Sequence, residues 1–223
     1  MAPFEDTVQW TDKGIEGANR FLNRVWRLWS DLRPFYRDDW RDTSTGTEAT
    51  PSDAEKSLRR KLHQTIQKVG EDLESFRFNT CVAALMEFTN ELSLFRNSVA
   101  RVAPTLSQAS LISEILVTLP LLMSPITPHT SDEMWERLGM HGFTFRQSWP
   151  EYDASAAAED EITIVVQVNG KVRDKLLVPV GTPQAEIERL ALACEKVARE
   201  LESGKSLRKT IPVAGKLINF VIA

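Results

Sequence analysis

Two groups of cations are the residues whose type and spacing could do chemistry in this 223-residue chain. Arg20, Arg24 and Arg27 stand at i, i+4 and i+7, with Asn23 among them and no acid between. At 3.6 residues per turn this spacing puts three fixed charges in one narrow stripe of a helix. A guanidinium presents a planar fork of donors that takes phosphate oxygens two at a time, so phosphate contact is what the stripe could perform. A solvated helix face is the alternative. In the last third of the chain Lys171, Arg173 and Lys175 alternate along a strand, and alternation places them on one face. Lys205, Arg208, Lys209 and Lys216 follow in turn and strand positions, with Asp174 the one acid in the group. Phosphate contact is expected here as well, against an edge merely defended by lysines.

Other chemistries lack their residues. There is no glycine-rich phosphate cradle, no metal-ligand spacing and no nucleophile with its base. The histidines, His63, His129 and His141, are isolated: His63 flanks an apolar stripe, and His129 begins a helix where a neutral imidazole suits a hydrogen bond. Cys81 and Cys194 fall in different expected domains, which argues against a disulfide framework and for a reduced, cytoplasmic setting. Net charge is −4, but residues 1–160 carry 17 bases and 24 acids while residues 161–223 carry 10 and 7. The tail is the basic part. The first residues lack the basic lead and apolar core of a signal peptide, and no uninterrupted apolar run is long enough to span a membrane. The expectation is a soluble chain that is not an enzyme by itself and binds no cofactor.

The elements that must position the cations follow from periodicity. A first helix from about Asp12 to Pro34 turns Phe21, Leu22, Val25, Trp26, Leu28, Trp29 and Leu32 inward, opposite the arginines. Residues 38–52 read as an exposed connection. Ser52 with Glu55 forms a capping box, and the helix it opens carries Leu58, Leu62, Ile66, Val69 and Leu73. A third helix runs from near Asn79 to about Arg101. Leu106 to Met123 is apolar nearly all round, the mark of a central helix, with Pro120 expected to kink or end it. A short fifth helix, with Thr127 as cap and Pro128 at its first position, stops near Gly139. Phe143 to Trp149 is an irregular aromatic segment. Residues 151–160, small and acidic, have the composition of a linker. Beyond it the pattern turns strand-like: Ile162–Val168, an Asn169-Gly170 hairpin, Lys171–Val178, a helix over 184–202, and strands over 207–213 and 216–222. The chain is therefore expected to be mainly α, an antiparallel helix bundle over 1–150 followed by a small α+β domain, β-β-α-β-β, over 161–223.

Three strings carry a resemblance. GIEGANRFLNRVWRLW (14–29) resembles the first helix of the anticodon-binding bundle of class I aminoacyl-tRNA synthetases. PITPHTSDEMW (125–135) is similar to a structural segment of those bundles, with Asp132 where a glutamate is usual. VVQVNGKVRDKLLVPVG (165–181), with LRKTIPVAGKLINFVIA (207–223), resembles the C-terminal domain of bacterial leucyl-tRNA synthetases; Pro212 and Ala214 depart from the usual residues of that last hairpin. The resemblance implies a bundle lying along the inner side of a leucine tRNA and a tail domain reaching the corner where the D and T loops meet. It makes Arg20, Arg24 and Arg27 candidates for backbone contacts from the bundle. Asn169, Lys171, Arg173, Arg208, Lys209 and Lys216 become candidates at the corner, with Lys175 and Lys205 in the same basic group. It further implies that ATP, magnesium and the leucine pocket belong to a parent ligase whose remainder lies in cis, since the HIGH and KMSKS signatures do not occur. A monomer is expected. A free-standing RNA-binding factor and a helical protein-interaction module stay open as alternatives.

Overall fold

In the bundle the inward face of the first helix sets the arrangement, because Val25, Leu28, Trp29 and Leu32 are all buried. The computed structural model describes residues 12–41, 51–99, 103–158, 161–202, 206–213 and 215–222. The chain divides into two compact units, Met1–Ala158 and Glu159–Ala223. The first holds α1 (Asp12–Leu32), α2 (Asp53–Glu74), α3 (Phe78–Val99), α4 (Leu106–Met123), α5 (Pro128–Arg137) and the single turn α6 (Ala154–Ala157), with 3-10 turns at Arg33–Phe35 and Thr144–Arg146.

Reciprocal capping boxes start α2, at Ser52 and Glu55, and α4, at Thr105 and Gln108. Ile112, Ile115, Leu116, Leu119 and Leu122 of α4 are enclosed on every side by the bundle core. Pro120 does not end this helix, which runs on to Met123. The proline lacks the N–H that the Leu116 carbonyl would otherwise accept, and the indole Nε1 of Trp29 donates to that oxygen instead, at 3.2 Å. The expected side-chain cap at Thr127 does not form; its hydroxyl donates back to Met123 O.

The segment expected as a linker behaves differently over its described part. Residues 151–158 lie along α2: the Asp153 N–H donates to His63 Nδ1 (3.1 Å), Gln64 Nε2 to Ala157 O (3.0 Å) and Arg60 Nε to Ala158 O (2.8 Å). Just ahead of it Trp149 covers Gly70, where an added Cβ would come within 3.3 Å of the indole nitrogen. His63 is thus a buried structural residue, its Nε2 3.3 Å from Glu114 Oε1.

The second unit holds β1 (Glu161–Val168), β2 (Lys171–Pro179), α7 (Gln184–Leu192), α8 (Glu195–Glu202), β3 (Leu207–Val213) and β4 (Leu217–Ile222). Its sheet runs β2-β1-β4-β3, with β1 parallel to β4 and the outer pairs antiparallel. Ile164, Val166, Val168, Ile218, Phe220 and Ile222 point to one face and pack with Ile187, Ala191 and Val197. The single helix expected over 184–202 is two helices. Ala191 and Val197 are six residues apart, which one continuous helix would turn to different sides; the break at Ala193 and Cys194 lets both face the sheet.

Candidate nucleic-acid interface

On α1 the arginine stripe is exposed as its spacing requires. Arg20 sits 4.0 Å from Glu16, a pair weakened by exposure on both sides. Arg24 donates to Asn90 Oδ1 of α3 at 2.9 Å, and its guanidinium lies 5.9 Å from the Phe21 ring centre. That contact fixes the direction of Arg24 and leaves further donors of the fork open. Arg27 has no ion pair among the described residues.

The tail cations are not gathered as alternation predicts. The β1–β2 ladder pairs Val168 with Lys171 and Gln167 with Val172, then Val166 with Asp174 and Val165 with Lys175. Arg173 is the surplus residue of a bulge, and the surplus shifts every later residue to the other side. Lys175 therefore faces the open side of the sheet with Val165, while Lys171 pairs with a residue of the helix-covered side at the hairpin. Arg173 turns toward α8 and donates to Glu200 Oε1 at 2.5 Å. The expectation of one shared face is corrected on this ground, and Arg173 is spent on an ion pair.

Asn169 is spent as well. It takes a left-handed backbone (φ 48°) at the turn. Its Nδ2 donates to Ile222 O and its Oδ1 accepts from Ile222 N, clamping the hairpin to the end of β4. Asn219 Oδ1 accepts from Gly170 N on the same turn. Lys171, Lys175, Arg208, Lys209 and Lys216 are exposed and form no ion pair among the described residues. Lys205 lies outside the described residues. Lys209 pairs with Val221 and so shares the open face with Lys175. Lys171 on one edge strand and Arg208 and Lys209 on the other stand at the same end of the sheet, about 14 Å apart by strand spacing alone.

Among the described residues, apart from Glu161 on β1 and Asp174 on β2, the acids of this unit lie on the helices. Hydrogen bonds from Arg189 hold the Glu186 carboxyl below its usual range, Glu188 accepts from Thr210, and Glu195 pairs with Arg199. The open face instead mixes its lysines with apolar side chains that patterning alone did not single out: Val172, Leu177, Ile211 and Val213, all exposed. Among the described residues no cluster of three or more His, Cys, Asp or Glu side chains could hold a metal ion. Burial pushes the Cys81 thiol up to about 11 and raises Cys194, so neither is an activated nucleophile.

A family model described as the anticodon-binding domain of tRNA ligase matches residues 55–189, which runs from the start of α2 into α7. The leucine–tRNA ligases of Thermotoga maritima and Fervidobacterium nodosum are 40% and 43% identical to the chain over 223 residues. In each case all of this chain aligns with 26% of the relative, so the chain spans about a quarter of the length of the proteins it matches. A solved LeuRS from Agrobacterium radiobacter, in a ternary complex with tRNA and LeuAMS, matches with a TM-score of 0.75 at 27% identity. That match covers 100% of this chain and 27% of the other. With the family model extending over more than half of its residues, and both units aligning end to end with these relatives, the chain belongs to the anticodon-binding domain family of tRNA ligases.

Proposed function

We propose that the chain is the tRNA-holding part of a leucyl-tRNA synthetase, with ATP, magnesium, leucine and adenylate chemistry handled by the remainder of that ligase in cis. The observation that carries this reading is the end-to-end similarity to leucine–tRNA ligases across both units, one of them a tail with cations that form no ion pair among the described residues. Arg20, Arg24 and Arg27 take backbone phosphates from the bundle, and Lys171, Lys175, Arg208, Lys209 and Lys216 take them from the tail. Arg173 and Asn169 act by holding the tail together. Residues 1–158 and 159–223 work as two domains on one RNA, so the second engages at a raised effective concentration once the first is bound.

The test is binding of a leucine-accepting tRNA transcript across a salt series. Neutralising about three phosphates through the tail gives a log–log slope of roughly −2 to −3 from that part. Reversing Lys171 and Lys209 to glutamate should weaken binding and flatten the slope, whereas Glu186→Gln should do neither. Equal loss from both changes would mean that the cationic end of the sheet has been misassigned. Binding with no salt dependence would overturn the reading.

A further inference from the structure

Between α5 and the segment that lies along α2, the turn Thr144–Arg146 is built like a bracket. Thr144, its first residue, is 3% exposed. Its N–H and its hydroxyl both donate to Asp132 Oδ1, at 2.9 and 2.6 Å, and the hydroxyl oxygen lies 2.8 Å from Ser124 Oγ. Phe143 and Phe145, on either side of that anchor in the chain, are 51% and 66% exposed. Their rings stack on each other, centres 5.4 Å apart and planes 17° from parallel. Arg146 stands beside them with its guanidinium 5.7 Å from the Phe145 ring centre, exposed and without an acid partner among the described residues. Leaving two phenyl rings in water is unfavourable, and three hydrogen bonds make the display fixed in direction.

We infer that Phe143 and Phe145 form a stacking platform for an unpaired nucleobase of the bound RNA, with Arg146 taking an adjacent phosphate; this rests on the reading that the chain carries RNA. Size decides between a base and a protein partner. A stable protein interface needs about 800 Å² from each side with an apolar centre. Here the apolar area is two rings; the residues next to them, His141, Gly142, Gln147 and Ser148, are exposed and none is an apolar anchor, while Trp149, 39% exposed, is held by its indole against Gly70 of α2. A single base needs no more than a ring face, and a cation next to an aromatic is the pairing that single-stranded RNA sites use for base and backbone together. The platform is indifferent to base identity, because every base has a π-face.

The experiment uses the full chain and a short adenylate oligoribonucleotide carrying one 2-aminopurine, whose fluorescence falls when it stacks, alongside the tRNA transcript. Wild type should quench the probe saturably. Phe145→Leu and Phe143→Leu, which keep apolar volume and lose the π-face, should each weaken binding by about tenfold at constant salt without changing the salt slope. Phe145→Tyr should bind as wild type, and Arg146→Gln should flatten the slope. Unchanged thermal unfolding of the variants would show that these surface changes leave the fold alone. If the leucine variants bind both RNAs as tightly as wild type, or the probe is not quenched, the platform is overturned. Because the oligonucleotide has no folded corner for the tail lysines to find, a platform failure with intact tRNA binding is distinct from a failure of the tRNA-holding reading. Quenching that survives the loss of tRNA binding separates the two in the other direction.

Discussion

Asp72 is fully buried near the end of α2, yet its carboxyl is held below the usual carboxylate range. Burial alone would raise it; hydrogen bonds to Oδ1 from the cations Lys68 (2.6 Å) and Arg77 (2.9 Å) outweigh that effect. A group with a depressed folded pKa adds stability above its unfolded pKa, about 3.9, and loses it as pH falls through the lower folded value. Asp72→Asn should therefore cost about 1–3 kcal/mol at pH 7, with the gap to wild type closing below about pH 4, as followed by urea unfolding. The sequence did not reveal this residue, because Lys68 at i−4 reads as an ordinary exposed pair and Arg77 lies beyond the helix. Arg20, Arg24 and Arg27 were legible because helical spacing needs no long-range information. Arg173 was not legible, since one surplus residue in a strand changes side-chain parity without leaving a compositional trace.

The elements that sequence places well are those whose start signals are local. Ser52 with Glu55 fixes the beginning of α2, and Asn169 with Gly170 fixes the β1–β2 turn. Partners that come from elsewhere in the chain are what the sequence cannot supply. Pro120 would be read as a helix stop by anyone who could not see Trp29 approach Leu116, and an alanine-rich acidic stretch reads as a linker until His63, Gln64 and Arg60 are found beneath it. That docking makes a prediction. Tyr152 is exposed and would attract chymotrypsin, but cleavage after it requires the segment to lift from α2. His63→Ala removes the acceptor of the Asp153 N–H and should speed cleavage there by roughly three- to tenfold, in proportion to the larger open population. Equal rates in the two proteins would show that the hydrogen bond does not hold the segment down.

For the whole chain, the parts that could be inferred were the order of the elements and the change from helical to strand-like composition near residue 160. The topology of the last four strands was not legible: β4 lies parallel to β1 and inside the sheet, an arrangement set by how Ile218, Phe220 and Ile222 meet α7 and α8 rather than by any hairpin signal. The two sets of buried residues have no member in common, one built around α4 and the other around β1 and β4. Heat absorbed on melting should reflect that division. Cooperativity in a small protein comes from sharing one interior, and a chain with two interiors need not lose both at one temperature. Scanning calorimetry of the full chain should give a total enthalpy larger than the van't Hoff value of its main transition. The smaller peak should belong to residues 159–223, whose separate interior is the smaller and so confers the shallower dependence on denaturant as well.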